Sequence, residues 1–184
     1  MRPLLLVLLL IPGSASLAHH DSKQRVDRAL EGWPIEAFVL VDQHGAKFTN
    51  ERLLGRWTFV LVGDTRCAQP CADSLAALQG LSKRIHRTEA ILTTQVLFVS
   101  LDRRRDTPAA LKKYLAPYDP HWIGATGPAP ALARLTDDLN LAGAGPGSSL
   151  ALVGPQGFLH TVYTAPFDVL RLTADYLKAR ALYK

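Results

Sequence analysis

The stretch that decides the fold is Gly63–Leu81, "GDTRCAQPCADSLAALQGL", which contains both cysteines of the chain, Cys67 and Cys71. It lies between an apolar run, "RWTFVLVGD" (Arg56–Asp64), typical of a buried strand, and a run in which apolar residues recur at helical spacing. The cysteines therefore fall where a strand turns into a helix. Two thiols at such a turn could bridge each other, hold a metal, exchange electrons or simply pack, and the spacing alone leaves these alternatives open.

Composition sets the context for the cysteine pair. The chain has 184 residues, of which 48% are hydrophobic and 20% charged, which suits a single domain whose core needs no disulfides to hold it together. The formal net charge of +5 is spread along the sequence and is not gathered in one block, so no nucleic-acid partner is expected. We interpret the charge as a mildly basic surface, with an acidic partner protein as an alternative.

The first eighteen residues, "MRPLLLVLLLIPGSASLA", have the layout of a secretory signal peptide, with one basic residue, a short apolar run, a Pro-Gly break and small residues up to Ala18. The apolar run is shorter than the roughly 20 residues that cross a bilayer, so membrane attachment is expected only if the signal is retained. We predict a periplasmic or otherwise exported protein with a signal peptide at 1–18, a flexible lead-in at 19–32 and one domain at 33–184. In that setting a dithiol can be oxidised or can bind soft metals.

The remaining sequence predicts an α/β sandwich around a central mixed sheet, because strands and helices alternate and the chain closes with a hairpin and a helix. Alternation around the turn at Gln43-His44-Gly45 predicts an additional hairpin near the start of the domain. The predicted elements are a hairpin within Ala37–Asn50, strands at Arg56–Asp64 and Thr94–Asp102, helices at Asp73–Ile85 and from Asp106-Thr107-Pro108, an apolar piece at His121–Thr126, a helix at Ala129–Asn140, strands at Ser148–Gly154 and Phe158–Thr164, and a helix from Phe167 to about Ala181.

A dithiol at the first strand-to-helix turn is where thioredoxin-like domains carry theirs. The unpaired N–H groups and the dipole at a helix start favour a thiolate, and the charge of Arg66 would favour one at Cys67. If Cys67 is the N-cap, Pro70 falls in the first turn, where its missing N–H costs nothing. Cys71 would then lie one turn inside, near the upper end of the roughly 4.4 to 6.8 Å Cα separation that a disulfide tolerates. The pair could instead hold one soft ion such as Cu(I).

From Ala37 onward the chain resembles the Sco/SenC family, the thioredoxin-fold copper chaperones of the bacterial periplasm and mitochondria. The matching pieces are "LVDQHGAKFT", "LLGRWTFVLVGDTRCAQPC", "VLFVSLDRRRDTPAALKKYLAPYDPHWIGATG" and "LALVGPQGFL". The resemblance implies a thioredoxin-like fold, with a central mixed sheet flanked by helices and an N-terminal hairpin extension. It also implies copper delivery to cytochrome c oxidase during assembly, with an oxidase subunit as partner, although some family members are argued to be thiol-disulfide reductants.

The resemblance implies that Cys67 and Cys71 are the copper ligands, with Asp102 a nearby acidic residue, but the family's histidine ligand does not carry over. In the family this histidine lies eight residues before the Asp of an I-D-P-x-G turn. Here Gly154 stands at that Asp, and counting back eight residues leads to Pro146. Two thiolates suit Cu(I), whereas Cu(II) prefers imidazole nitrogen. If copper binds here, Cu(I) is therefore expected in preference to Cu(II).

The other histidines offer no obvious replacement. His160 lies on a predicted strand, His121 in a loop and His86 at a helix end, and each position is typical of a surface or packing histidine. The pair His19-His20 differs, because it would follow the predicted cleavage site. A free amino terminus beside imidazoles chelates Cu(II), so this hypothesis rests on where the signal is cut.

Three functional hypotheses follow from the sequence. The first is a copper-handling chaperone that binds Cu(I) through Cys67 and Cys71 for cytochrome c oxidase assembly. The second is a thiol-disulfide oxidoreductase, in which Cys67 attacks a disulfide of the partner and Cys71 resolves the mixed disulfide; only this reading makes the chain an enzyme. The third is a non-catalytic binding module that has lost the metal. A monomer is expected, and Arg103-Arg104-Arg105 is interpreted as a solvated basic loop, with contact to an acidic partner as the alternative.

Overall fold

The computed structural model describes residues 32–183, so the predicted signal peptide and the His19-His20 hypothesis lie outside the described residues. Two short 3-10 helices accompany the main elements, at Asn50–Leu53 and Glu89–Thr93. The strands are β1 (Trp33–Pro34), β2 (Val39–Asp42), β3 (Lys47–Thr49), β4 (Trp57–Gly63), β5 (Thr94–Ser100), β6 (Ile123–Thr126), β7 (Ser149–Val153) and β8 (Phe158–Thr164), and the helices are α1 (Gln69–Ile85), α2 (Pro108–Leu115), α3 (Ala129–Asp138) and α4 (Val169–Leu182). Between residues 32 and 183 no helix combines the length and apolarity needed to cross a bilayer.

All eight strands form one sheet in the order β1-β8-β7-β4-β5-β6-β2-β3. The strands β4, β5 and β6 are parallel to one another, and β7 joins β4 on its other side in the antiparallel direction. The predicted central mixed sheet is therefore confirmed. Every residue of β4 is buried, which places this strand at the centre of the molecule, and the cysteine turn follows at its carboxyl end.

The two faces of β4 are covered by different helices. Phe59 and Leu61 belong to a core cluster built with α1, α2 and α4. Val60 and Val62 belong to a second cluster built with α3 and the β2–β3 hairpin. Because side chains alternate along a strand, burial on both faces requires a continuous apolar run, and this explains the uninterrupted sequence of β4.

The N-terminal hairpin is found as predicted, and two other predicted features change in the structure. The predicted N-terminal hairpin is present as β2–β3, and because β2 pairs with β6, the hairpin extends the central sheet at one edge. The apolar piece at 121–126 contains strand β6, which at four residues is too short to show alternation. Helix α1 begins at Gln69, four residues before the predicted start at Asp73. Pro70 is accommodated there because the first turn of a helix needs no N–H from it.

Candidate functional site

Cys67 and Cys71 are joined by a disulfide whose Cα atoms lie 5.6 Å apart. The N-cap of α1 is Ala68, so Cys67 lies one residue before the N-cap and the conditional N-cap placement of Cys67 was wrong. Because Cys67 is outside the helical geometry, the Cα separation falls in the middle of the range that disulfides adopt and not near its upper end. Pro70 does lie in the first turn, as predicted.

The two sulfur-bearing residues differ in exposure. Cys71 is fully buried in the core beneath α1, whereas Cys67 is partly exposed at the rim. Gly63, at the end of β4, makes room for the inner sulfur, because a Cβ atom there would lie 2.6 Å from the Cys71 Sγ. An attacking group from another protein therefore reaches Cys67 first.

The loop at 145–148 covers one side of the disulfide. The carbonyl oxygen of Pro146 lies 3.5 Å from the Cys67 Sγ, a contact and not a hydrogen bond, since a disulfide sulfur carries no proton. The Gly147 N–H donates to the Val62 carbonyl at 2.9 Å, and the Ser74 hydroxyl donates to the Gly147 carbonyl at 2.5 Å. The position at which the resemblance predicts a histidine is thus beside the sulfur, and it presents a backbone carbonyl there.

Gly147 allows this loop to approach the cysteine segment so closely. Its φ of +75° is in the region that favours glycine, and a Cβ atom at residue 147 would lie 2.5 Å from the Cys71 nitrogen and 2.6 Å from the Pro70 carbonyl carbon. Nothing in the sequence pattern "GAGPGSS" identifies this contact. The main chain of the loop therefore packs directly on the main chain at the start of α1, and the Ser74 hydroxyl adds a hydrogen bond to the Gly147 carbonyl.

Asp106 binds the cysteine turn on the side opposite to the loop at 145–148. The sequence did not identify it as a site residue. It is 1% exposed, and its carboxylate accepts the Thr65 N–H at 2.9 Å, the Thr65 hydroxyl at 2.6 Å and the Ser100 hydroxyl at 2.5 Å. The Leu101 N–H also donates to the Gly63 carbonyl at 2.9 Å. The sequence Asp106-Thr107-Pro108 does signal a helix start, with Thr107 as N-cap, but it does not reveal a bond to Thr65.

Asp102 lies between two arginines near the disulfide. Its carboxylate is 3.3 Å from the guanidinium groups of both Arg66 and Arg105. Arg105 thus pairs with the neighbouring Asp102, whereas the Asp106 carboxylate accepts from Thr65 and Ser100. The charge of Arg66 is thus shared with a carboxylate instead of being directed only at Cys67. Both arginine side chains are largely exposed, so these pairs contribute little to stability.

Tyr114 packs beside the same side of the site, its ring 5.3 Å from that of Phe98. Burial, reinforced by Tyr118 and by the carboxylates of Asp64 and Asp106, raises the pKa of Tyr114 to about 12. The phenol is therefore uncharged at neutral pH. It adds no negative charge that would oppose a thiolate at the cysteine turn.

The described histidines are spread over the rest of the molecule. His160 is half-buried, with its ring edge-on to Trp57 at 5.4 Å, and burial lowers the pKa of His160. His44, His86 and His121 line an open groove at the opposite end of the sheet from the cysteines, where His121 contacts Asp119. Within residues 32–183 no group of three or more His, Cys, Asp or Glu side chains is arranged to hold a metal ion.

A thioredoxin-like domain with its cysteine pair at the first strand-to-helix turn defines the class of this protein. The chain matches the SCO1/SenC family over residues 28–173, most of its length, and it belongs to that family.

The relatives agree with this assignment. A protein of Stutzerimonas stutzeri, named for copper binding, is 34% identical over 146 residues, which are 73% of this chain and 71% of that protein. The mitochondrial protein SCO1 of Saccharomyces cerevisiae is 38% identical over 90 residues, which are 49% of this chain but only 30% of the yeast protein. The crystal structure of yeast Sco1 with copper bound superposes with a TM-score of 0.73 at 25% identity, over 81% of this chain and 93% of that one.

Proposed function

We propose that this chain is an exported, periplasmic Sco protein that carries Cu(I) on the thiolates of Cys67 and Cys71 and delivers it during cytochrome c oxidase assembly. The observation that carries the proposal is the convergence of the two sulfurs at the strand-to-helix turn of a Sco fold. Yeast Sco1, which shares this fold, has been crystallised with copper bound. The expected recipient is an oxidase subunit with a copper site, and the chain is expected to act as a monomer.

The donor set fits Cu(I) as cargo once the disulfide is reduced. Reduction adds two electrons and two protons to give two thiols, and a Cu(I) ion bound between them displaces those two protons. Soft thiolates favour Cu(I), whereas the nearby Pro146 carbonyl oxygen is a hard, neutral donor. Because that position lacks an imidazole, the family's full Cu(II) site does not fit the residues present.

The partial exposure of Cys67 suits transfer of the cargo. Cys71 is buried and held against Gly63, so it would keep one sulfur fixed while Cys67 exchanges its bond to copper for a ligand of the recipient. The hydrogen bonds from Thr65 to Asp106 hold the turn just before Cys67. These contacts would keep the outgoing sulfur at the rim.

Thiol-disulfide exchange is the second candidate function, favoured by the Pro146 carbonyl where the family has its histidine. The Cys67 thiolate would attack a disulfide of the partner, forming a mixed disulfide and releasing one partner thiolate, which takes up a proton. The Cys71 thiolate would then attack the Cys67 sulfur and release the second partner thiol. The partner gains two electrons and two protons, and Cys67–Cys71 returns to the disulfide.

Anaerobic titration of the reduced, signal-free protein with Cu(I), in competition with a chromogenic chelator, tests the first proposal. One equivalent of Cu(I) should bind to the native protein and to Ser148→Ala, a control on the neighbouring loop, and should not bind to Cys67→Ser or Cys71→Ser. If the native protein does not bind Cu(I) but its dithiol has a measurable potential, the second function replaces the first. Failure of both measurements would favour a non-catalytic binding module.

A further inference from the structure

The loop at 101–107 is fastened to the loop that carries Cys67. The Leu101 N–H bonds to the Gly63 carbonyl at 2.9 Å, and the carboxylate of Asp102 contacts the guanidinium of Arg66 at 3.3 Å. These contacts place the run Arg103-Arg104-Arg105 on the loop next to the one that carries Cys67. Arg66, Arg103, Arg104 and Arg105 are all exposed, and together they are called the basic collar below.

The exposed side chains of the collar are positive, and the acidic side chains near them are Asp64 in the cysteine turn, whose carboxylate accepts the Arg66 N–H, and Asp73 in α1, whose carboxylate accepts from Gln69. Asp106 is buried and its carboxylate accepts three hydrogen bonds, and Asp102 is shared between Arg66 and Arg105. In the described part of the chain no carboxylate lies within ion-pair distance of Arg103 or Arg104. The loop on the other side of the disulfide, residues 145–148, carries no charged side chain. The collar therefore has two guanidinium groups available to a partner.

We propose that the basic collar docks an acidic segment of the partner protein next to Cys67. The inference rests on the proposed function, because it identifies the partner of that same dithiol as one with Asp and Glu residues near its own cysteines. Charge complementarity of this kind raises the association rate and orients the partner, and salt weakens it. A partner held by the collar would present its thiols to the exposed sulfur and not to the buried Cys71.

Two synthetic peptides test the proposal directly. Both contain the same pair of cysteines, reduced to thiols, and they differ only in flanks of four Asp or four Lys residues. Each would reduce the Cys67–Cys71 disulfide by donating two electrons and two protons and becoming a disulfide itself. The second-order rate constant, measured by acid quench and chromatography at 0.1 M ionic strength, should be about tenfold higher for the acidic peptide. The difference should nearly vanish at 1 M salt, where the screening length is about 3 Å.

A matched pair of charge-reversal variants locates the effect. Arg103→Glu/Arg104→Glu should abolish or reverse the preference for the acidic peptide. Lys83→Glu/Arg84→Glu makes the same change of charge in the last turn of α1, about 21 Å along the helix from Gln69. Since the screening length is about 10 Å at 0.1 M salt, this control should keep the native preference.

The outcomes separate the docking inference from the proposed function. Equal rates for both peptides, or equal effects of the two double variants, would overturn the docking inference and leave the dithiol function standing. If neither peptide reduced the disulfide, the docking inference would fail, and the Cu(I) titration described above would still decide the proposed function separately. Binding to phosphatidylglycerol vesicles that required Arg103 and Arg104, without any peptide preference, would overturn the protein partner in favour of a membrane surface.

Discussion

The two loops that flank the disulfide hold it by different means. On one side, residues 101–107 use side chains: the buried carboxylate of Asp106 binds Thr65, and arginines surround Asp102. On the other side, residues 145–148 use the main chain: Gly147 packs on Cys71 and the Pro146 carbonyl faces the Cys67 sulfur. The main-chain side holds residue 146, where the family resemblance predicts a histidine, beside the Cys67 sulfur with a carbonyl oxygen facing it. Of the two loops, only residues 101–107 carry charged side chains that a partner could contact.

The largest expected effect comes from breaking the main-chain side with Gly147→Ala. The added methyl group combines a strained positive φ with overlap on the backbone of Pro70 and Cys71, so we expect a loss of about 4 kcal/mol in the free energy of unfolding. Urea denaturation of the oxidised protein measures it. Gly145→Ala on the same loop is the control, because its nearest neighbour would be the Ser148 hydroxyl at 3.8 Å. Equal losses in both variants would contradict the close fit described for Gly147.

Asp106→Ala breaks the side-chain side and should have the next largest effect. Removal of the carboxylate leaves the Thr65 N–H and two hydroxyl groups without their acceptor, and we expect a loss of about 3 kcal/mol in the free energy of unfolding. Asp106→Asn should lose less, because its amide oxygen still accepts. Asp137→Ala on the exposed side of α3 is the control. A loss no larger than that of the control would show that the network does not support the turn.

Pro146→His would supply an imidazole on the side that now offers only a carbonyl oxygen. If residue 146 occupies the ligand position, Cu(II) affinity of the reduced protein should rise about a hundredfold, equivalent to about 2.7 kcal/mol. Anaerobic titration followed by thiolate-to-copper charge-transfer absorption measures the gain. Pro146→Ala, which removes the proline ring without adding a ligand, should not gain affinity. An equal affinity in both variants would mean that the loop no longer directs residue 146 at the sulfurs.

The smallest expected effect is a pH dependence located on the charged side. The folded-state pKa of Tyr114 is about 12 because of burial and nearby Tyr118, Asp64 and Asp106, against about 10 when unfolded. The folded state therefore keeps the phenolic proton to a higher pH than the unfolded state does. The contribution of Tyr114 to the free energy of unfolding is fully present below pH 10 and declines as the pH rises towards 12. Between pH 9 and 11 native protein should lose about 1 kcal/mol more than Tyr114→Phe.

Tyr163, on strand β8, provides the comparison for that measurement. Burial, with a contribution from the charge of Asp175, raises the pKa of Tyr163 to about 12. The Asp106→Asn change should reduce the alkaline effect of Tyr114 and leave that of Tyr163 unaltered, since only Tyr114 is close to the carboxylate. Equal changes for the two tyrosines would mean that Asp106 acts on the whole fold and not locally.

The fold was largely predictable because its main elements have clear periodicity. Three local patterns each predicted an element that the structure contains: the buried run of β4, the spaced leucines of α1 and the Thr107-Pro108 start of α2. The short strands were not predictable in this way. Strand β1 has two residues and β6 has four, and such strands are defined by their neighbours in the sheet rather than by a pattern of their own.

The site was predictable only where its parts are adjacent in sequence. Cys67, Cys71 and Pro70 share one short segment, so the place of Pro70 in the first turn could be inferred from spacing, whereas the position of Cys67 ahead of the N-cap could not. The bond from Asp106 to Thr65 joins residues 41 positions apart, and that from Ser74 to Gly147 joins residues 73 apart. Such contacts follow from the order of strands in the sheet, which local sequence does not determine. Pro146 is the exception among the distant residues. Counting eight residues back from Gly154 pointed to it, and its carbonyl oxygen lies beside the Cys67 sulfur.

The short strand β1 has a practical consequence for how the protein can be studied. Trp33 pairs with Leu159 on β8, at the end of the sheet where β4 begins, whereas Cys67 follows the end of β4. The seven residues of β4 separate the two ends by about 20 Å. Immobilisation on a sensor chip through residues ahead of Gly32 would therefore turn the disulfide and the basic collar towards the flowing solution. Candidate partners could then be injected without the chip surface blocking their approach.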